Sequence, residues 1–362
     1  MIGIGLLGCG RISENHLVGY RDPEDLAQRG EIVALCDPNE EALRRQATRH
    51  EVARRYTRIE QLIDDRNVQV VAVLTPPDLR CDVVIPLLEA GKHVLVEKPF
   101  AHTYEEAQRM VDAAARCNRV LAVNQNYRWR ADTLKLKELV DQGAIGQVVG
   151  MHQLHAMWRD EGPGWRRTTD YLAMAVMAVH WLDRFRWLAA DEATSVYTAA
   201  RSTGLLQSRG EDWAAMTVKF KGGAIGQCTE DWCSATRHRA DTFVIDGTTG
   251  SLMADRSTIT RFGRDTGDEQ KYEVSGEFPA TFAHSMRLVL EAVAGGTEPS
   301  ISGRDNLNTI ALLDACYTSA ASGEVVHLDT ALGAANDTAT AAAHANGPAT
   351  AAAGAGATHG SR

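Results

Sequence analysis

Ile4-Gly5-Leu6-Leu7-Gly8-Cys9-Gly10-Arg11-Ile12-Ser13 is the stretch on which the fold turns. A short apolar run meets two glycines one residue apart and then enters a segment with helical spacing. Gly8 suits a tight turn, and Gly10 lets backbone amides approach a pyrophosphate at the N-terminus of the following helix, where peptide dipoles favour negative charge. Ser13 stands where the usual fingerprint has a third glycine and is small enough for close strand–helix packing. Arg11 and Ile12 belong to the same turn and are assigned to cofactor contact with it. The next strand, Ile32-Val33-Ala34-Leu35, leads to Cys36-Asp37. A carboxylate there accepts hydrogen bonds from the adenine ribose hydroxyls of NAD and repels the 2′-phosphate of NADP. At ~4 Å and an effective dielectric of ~20, each pair of like unit charges costs roughly 4 kcal/mol. NAD is therefore the expected dinucleotide. Capping the next helix, with Pro38 at its first position, is the competing role for Asp37.

Working outward, the same rhythm repeats. Val70 to Leu74, His93 to Val96 and Val120 to Val123 are short and β-branched, and amphipathic segments lie around Pro38 to Ala53, Cys81 to Ala90 and Tyr104 to Cys117. Strands apolar on both faces and separated by helices predict an α/β Rossmann domain, a doubly wound parallel sheet, over residues 1–123. After Asn124 the pattern changes. A helix is expected over Ala131 to Gln142, then strands near Val148 to Leu154, Thr194 to Ala199, Ala214 to Phe220 and Ala224 to Asp231. Turn signals stand at Lys221-Gly222-Gly223 and Asp246 to Gly250. Residues 124–329 thus read as an α+β domain with a largely antiparallel sheet, with late helices over Arg287 to Ala294 and Asn306 to Ala321. The Ala-, Thr- and Gly-rich residues 330–362 hold too little apolar surface to offset ordering entropy, and a disordered tail is expected.

The 362 residues, 44% hydrophobic and 23% charged, suit two folded domains. A net charge of −9 without a dense basic face argues against a nucleic-acid partner. Apolar runs fall far short of the ~20 residues of a membrane span, so a cytoplasmic protein without a membrane partner is expected. Seven scattered cysteines without a CxxC pair read as reduced thiols, and no metal site is expected.

Further motifs resemble the glucose-fructose oxidoreductase, inositol dehydrogenase and rhizopine catabolism family, Gfo/Idh/MocA. They are Gly8-Cys9-Gly10, Thr75-Pro76, Gly91 to Pro99 with its Glu97-Lys98-Pro99 element, and His180-Trp181-Leu182-Asp183, and the resemblance spans roughly residues 2–329. It implies that Thr75, Pro76, Glu97, Lys98 and Asn124 line the cofactor, that Lys98 points into the cleft beside the nicotinamide, and that a cis bond precedes Pro99. An ammonium there can hydrogen-bond the reacting oxygen and stabilise developing alkoxide charge. His180 matches the family's catalytic histidine, whose imidazole relays the alcohol proton and whose ordinary pKa lies near working pH.

Two departures stand out. Family members that oxidise sugars and cyclitols commonly carry an aspartate four residues before the histidine, and that position is Val176 here. Without the carboxylate His180 is a weaker base and acts mainly as a hydrogen-bond donor; Asp183 is the acidic neighbour on an adjoining helical face. Arg80 stands where many members have a histidine. Tyr127 and Arg128 either face the substrate or cross between the two halves. Trp158-Arg159 and Gly164 to Thr169, with Trp165 and Arg166 foremost, read as a substrate loop or as a surface or subunit-contact loop, since indole faces stack on sugar C–H surfaces and guanidinium groups hold hydroxyls or carboxylates.

The leading expectation is reversible hydride transfer between NAD and a secondary alcohol of a sugar, glycoside or cyclitol. The alternatives are an NAD-retaining lyase or glycosidase acting by transient oxidation, and a catalytically impaired NAD-binding protein. The resemblance also implies a homodimer or homotetramer acting on a small carbohydrate-like molecule.

Overall fold

The computed structural model describes residues 1–21, 24–160, 164–236 and 239–328; the expected tail lies outside the described residues. Six strands, β1 (Ile2–Leu7), β2 (Gly30–Cys36), β3 (Arg54–Tyr56), β4 (Val70–Val73), β5 (His93–Glu97) and β6 (Leu121–Asn124), form a parallel sheet in the order β3-β2-β1-β4-β5-β6. Alternate side chains serve opposite faces. Val71, Val73, Val94 and Val96 pack with Val84, Leu87 and Met110 of the helices Arg80–Glu89 and Tyr104–Cys117. On the other face, Ile4, Leu6, Val70, Ala72 and Leu95 meet Phe282, Met286, Val289 and Leu290. Strand order reverses between β1 and β4, which opens a crevice at their carboxyl ends.

The second cover comes from far along the chain. Phe278–Gly295 is one helix, starting nine residues before the expected Arg287 because Pro279 sits in its first turn, where a missing N–H costs nothing. It packs on Ser13–Gly19, and a Cβ on Gly19 would stand only 2.3 Å from the Pro279 carbonyl oxygen. The edge strand β3 was not expected: Arg-Arg-Tyr has no apolar run, and β2 supplies all its pairing.

Nine further strands follow: β7 (Val148–Ala156), β8 (Ala193–Arg201), β9 (Trp213–Phe220), β10 (Ile225–Asp231), β11 (Ala240–Gly247), β12 (Gly250–Ala254), β13 (Thr258–Gly263), β14 (Glu269–Glu273) and β15 (Val326–His327). Their order is β14-β13-β12-β11-β7-β10-β9-β8-β15, antiparallel except for β7 with β10. The buried helix Val179–Ala189 crosses one face, entered through a π-helical turn, Met174–Ala178. None of the seven cysteines is in a disulfide, and no helix among the described residues is long and apolar enough to cross a membrane.

Candidate active site

Gly8 adopts φ +110°, and a Cβ there would press on the Leu74 backbone at 3.2 Å, so the turn demands glycine. A Cβ on Gly10 would meet nothing within 4 Å, which leaves open space over the amides that begin the Ser13–Gly19 helix. Ser13 is buried and its hydroxyl donates to the Gly10 carbonyl at 2.7 Å. Arg11 is exposed and Ile12 half-buried at the mouth of this turn. Asp37 is bound into the same structure: Oδ2 accepts from the Cys9 N–H at 2.6 Å and Oδ1 from the Asn39 N–H at 2.7 Å. Asn39, not Asp37, caps the Glu40–Arg49 helix, and Pro38 lies outside it.

Around β4 to β6 the crevice is edged by Thr75, Lys98 and Asn124. Arg80, in place of the family's histidine, donates from Nε and an amino nitrogen to the Thr75 carbonyl at 3.2 and 3.0 Å and reaches the Lys98 carbonyl at 3.4 Å, so it braces both loops. Pro76 is half-buried ahead of the turn Pro77–Leu79. Glu97, expected to touch the cofactor, instead turns inward. Its Oε1 contacts His16 Nε2 at 2.9 Å and accepts from Asn124 Nδ2 at 2.6 Å, so it locks β5 to the first helix and to β6. Burial opposes ionisation of Glu97, yet the His16 bond and charge and the Lys98 ammonium hold it below the usual carboxylate range. The Lys98–Pro99 bond is cis. Thr75 Oγ1 and Asn124 Oδ1 are buried without a protein partner at the crevice edge. Buried polar groups are rarely left so. With the open approach over Gly10, these two atoms fit a dinucleotide carrying amide and hydroxyl groups.

Lys98 Nζ donates to the Val176 carbonyl at 2.9 Å, which links the loop after β5 to the π-helical turn leading into His180. Such turns often mark functional sites. Burial pushes the Lys98 ammonium down to about 7, Glu97 opposes this, and Arg166, Arg159 and Arg80 reinforce it. His180 is almost wholly buried, its ring stacked on Tyr127 with centroids 3.9 Å apart, and Nδ1 lacks a protein partner. Burial and then the charges of Lys98, Arg130, Arg184 and Arg159 force its pKa well below the ordinary value. The expected imidazole near working pH is thereby corrected. His180 is neutral at pH 7, and the group poised for proton exchange is Lys98.

One carboxylate missed in the sequence holds the start of this helix. Glu211, buried and just ahead of β9, accepts from the Leu172 N–H at 3.1 Å and the Met174 N–H at 2.8 Å, while its own carbonyl accepts from Ala173 N–H at 3.0 Å. Tyr317 donates to Glu211 at 2.8 Å and its hydroxyl accepts from the Ala175 N–H at 3.1 Å. Four successive amides, the orphan donors of a helix start, are satisfied. Burial lifts the Glu211 pKa to about 7 against the pull of these donors. A raised folded-state pKa means that Glu211 favours the folded state fully below its unfolded value of about 4.3, and this contribution is lost as pH climbs through about 7. E211Q is expected to flatten the change in urea midpoint between pH 5 and 7, whereas E211A lowers stability at both by roughly 1–3 kcal/mol through orphaned amides.

Arg128, grouped with the substrate-facing residues but with a crossing role left open, takes the crossing role. It is 3% exposed, forms two bonds of 2.7 Å to Asp183, one of 2.7 Å to Asp305 and one of 3.1 Å to the Ser300 carbonyl. Asp183 is thereby consumed, accepts from Thr309 at 2.9 Å as well, and gives no support to His180. Trp165 and Arg166 form a half-buried turn, the Arg166 guanidinium 5.4 Å from the Trp165 ring centre. Among these residues the structure therefore groups Lys98, His180 and Tyr127, and Arg166 acts on Lys98 through its charge.

Comparison with known proteins identifies the family. Residues 2–125 match the model of the oxidoreductase family with an NAD-binding Rossmann fold, and residues 133–253 match the Gfo/Idh/MocA C-terminal domain. The chain belongs to the Gfo/Idh/MocA oxidoreductases. Curated relatives include the 1,5-anhydro-D-fructose reductase of Ensifer adhaerens, 28% identical over 91% of this chain and 99% of its own length. The myo-inositol 2-dehydrogenase of Thermotoga maritima is 26% identical over 91% and 99%. A similar solved structure is an oxidoreductase from Agrobacterium radiobacter in complex with NAD+, L-tartaric acid and magnesium, with TM-score 0.83, 21% identity, and coverage of 91% of this chain and 99% of the other. NAD is the cofactor of this Gfo/Idh/MocA chain, and its fold is the family's two-sheet arrangement.

Proposed function

We propose that the protein transfers hydride between NAD and a secondary alcohol of a sugar, glycoside or cyclitol, with Lys98 exchanging the alcohol proton. The observation that carries this reading is the Lys98 ammonium, fixed on the Val176 carbonyl and brought to about 7 beside the Tyr127–His180 stack. Bound NAD supplies the hydride acceptor. Neutral Lys98 accepts the hydroxyl proton during oxidation, and the ammonium stabilises the alkoxide as charge develops. Neutral His180 orients the reacting hydroxyl through a ring N–H. Trp165 offers a face to the sugar ring with Arg166 at its edge, while Tyr127, stacked on His180 and lying beneath Arg130, holds the histidine in place. The relatives named 1,5-anhydro-D-fructose reductase and myo-inositol 2-dehydrogenase support net turnover of NAD(H). We place the cofactor on Gly8, Gly10, Arg11, Ile12, Asp37, Thr75, Pro76 and Asn124, and divide the chain at residue 123. A cytoplasmic homodimer or homotetramer completes the reading.

Absorbance at the NADH band, with a panel of sugars, glycosides, inositols and sugar acids, tests it. Net NADH formation supports the dehydrogenase, and transient NADH returning to baseline replaces it with redox-neutral chemistry. Asp37→Ser is expected to shift the NADP-to-NAD ratio of kcat/KM upward by about 10-fold to 100-fold, less than the bare Coulomb figure because Asp37 is half-exposed and screened. An unchanged ratio would remove Asp37 from coenzyme selection.

A further inference from the structure

Among the described residues next to the Tyr127–His180 stack, cationic side chains outnumber their counterions. The Arg130 guanidinium lies 5.0 Å from the centre of the Tyr127 ring, on which His180 stacks. Arg130 pairs with Asp132 at 2.7 Å and approaches Asp241 at 3.8 Å. Asp241 is also shared by Arg256 at 2.7 Å and Arg239 at 3.7 Å, while Asp132 has the fully buried Arg184 at 4.0 Å. Four guanidinium groups thus gather on two carboxylates. Arg184 is pressed between the rings of Phe243 and Trp181, 3.9 and 4.8 Å from their centres. Holding like charges close together in a partly buried place is costly unless an anion completes the set.

We propose that the substrate is anionic, a polyol bearing a carboxylate or phosphate group that binds against Arg130 and Arg239 while a hydroxyl of the same molecule reaches Lys98. This rests on the dehydrogenase reading above and narrows its substrate class. Guanidinium groups suit the task, because their planar forks form paired charge-assisted bonds to carboxylate and phosphate oxygens. Inside the cleft, burial and then the charges of Lys98, Arg130 and Arg184 lower the proton affinity of His180. An arriving anion relieves that field and raises the proton affinity of His180.

The test uses the full chain saturated with NADH and a panel of neutral polyols, each paired with its own acid and phosphate ester, beginning with D-glucose, D-glucuronate and D-glucose 6-phosphate. Titration calorimetry is expected to show one anionic class binding about 10-fold to 100-fold more tightly than the neutral partner, and to tell carboxylate from phosphate. The advantage should shrink with added salt and approach one in Arg239→Gln, a partly exposed position where the substitution leaves the core intact. Anions that bind no more tightly than their neutral partners overturn the proposal. Tight anion binding without NADH formation from NAD removes the dehydrogenase reading and keeps the anion site. NADH formation from neutral members alone, with no anion preference in binding, does the reverse.

Discussion

Lys98→Met should lower kcat/KM for the best substrate by about 10²-fold to 10⁴-fold, the usual worth of a positioned acid–base group, while NAD affinity changes by no more than a few-fold. Methionine keeps the length of the side chain and removes the proton-carrying nitrogen together with its bond to the Val176 carbonyl. The pH profile of the unmodified enzyme gives the sign. Oxidation needs the neutral amine, so log kcat/KM climbs with unit slope below an apparent pKa near 7 and levels above it. Reduction needs the ammonium, so its rate declines above the same value. Arginine remains charged at any working pH, and K98R should lose oxidation while retaining cofactor binding. Wild-type oxidation rates in K98M, measured as initial NADH formation, would take Lys98 out of the chemistry.

The other large effect is on stability. Arg128→Ala should cost about 3–5 kcal/mol, read as a shift in urea midpoint, because it leaves Asp183, 2% exposed, charged and without its main partner. Thr309 at 2.9 Å and the more distant Arg186 guanidinium at 3.9 Å then serve that carboxylate. Adding Asp183→Asn removes the stranded charge, so the double variant should be more stable than R128A by a clear margin. Identical midpoints for R128A and wild type would mean that the pair contributes nothing.

How far the sequence carried the interpretation follows from distance along the chain. Gly8, Gly10 and the β-branched runs are local signals, each decided within a few residues, and they led to the right sheet. Lys98 was singled out because its neighbours form a compact motif after a strand. Arg128 was harder: it is 55 residues from Asp183 and 177 from Asp305, and nothing in a lone arginine says which carboxylates will surround it. Glu211 stands 39 residues from Leu172 in a segment without periodicity, so its hold on the helix start had no local mark. The arginines around Asp241 are assembled from several separate elements. Strands β11 to β14 were announced only by the Asp246 to Gly250 turn, since an exposed strand such as Glu269–Glu273 alternates charged residues with Gln270 and Tyr272 rather than polar residues with a clear apolar row.

The contact between Gly19 and Pro279 has a bearing on biosynthesis. A ribosome releases all of β1 to β6 well before it reaches Phe278–Gly295, so the part of one sheet face that Phe282, Met286, Val289 and Leu290 cover, beside Ile4, Leu6, Val70 and Leu95, stays open while β7 to β14 are still being made. Maturation of the nucleotide-binding half is therefore a late event in translation. A transcript truncated near residue 125 would yield a chain with an uncovered greasy surface, a client for chaperones and proteases rather than a spare dinucleotide module.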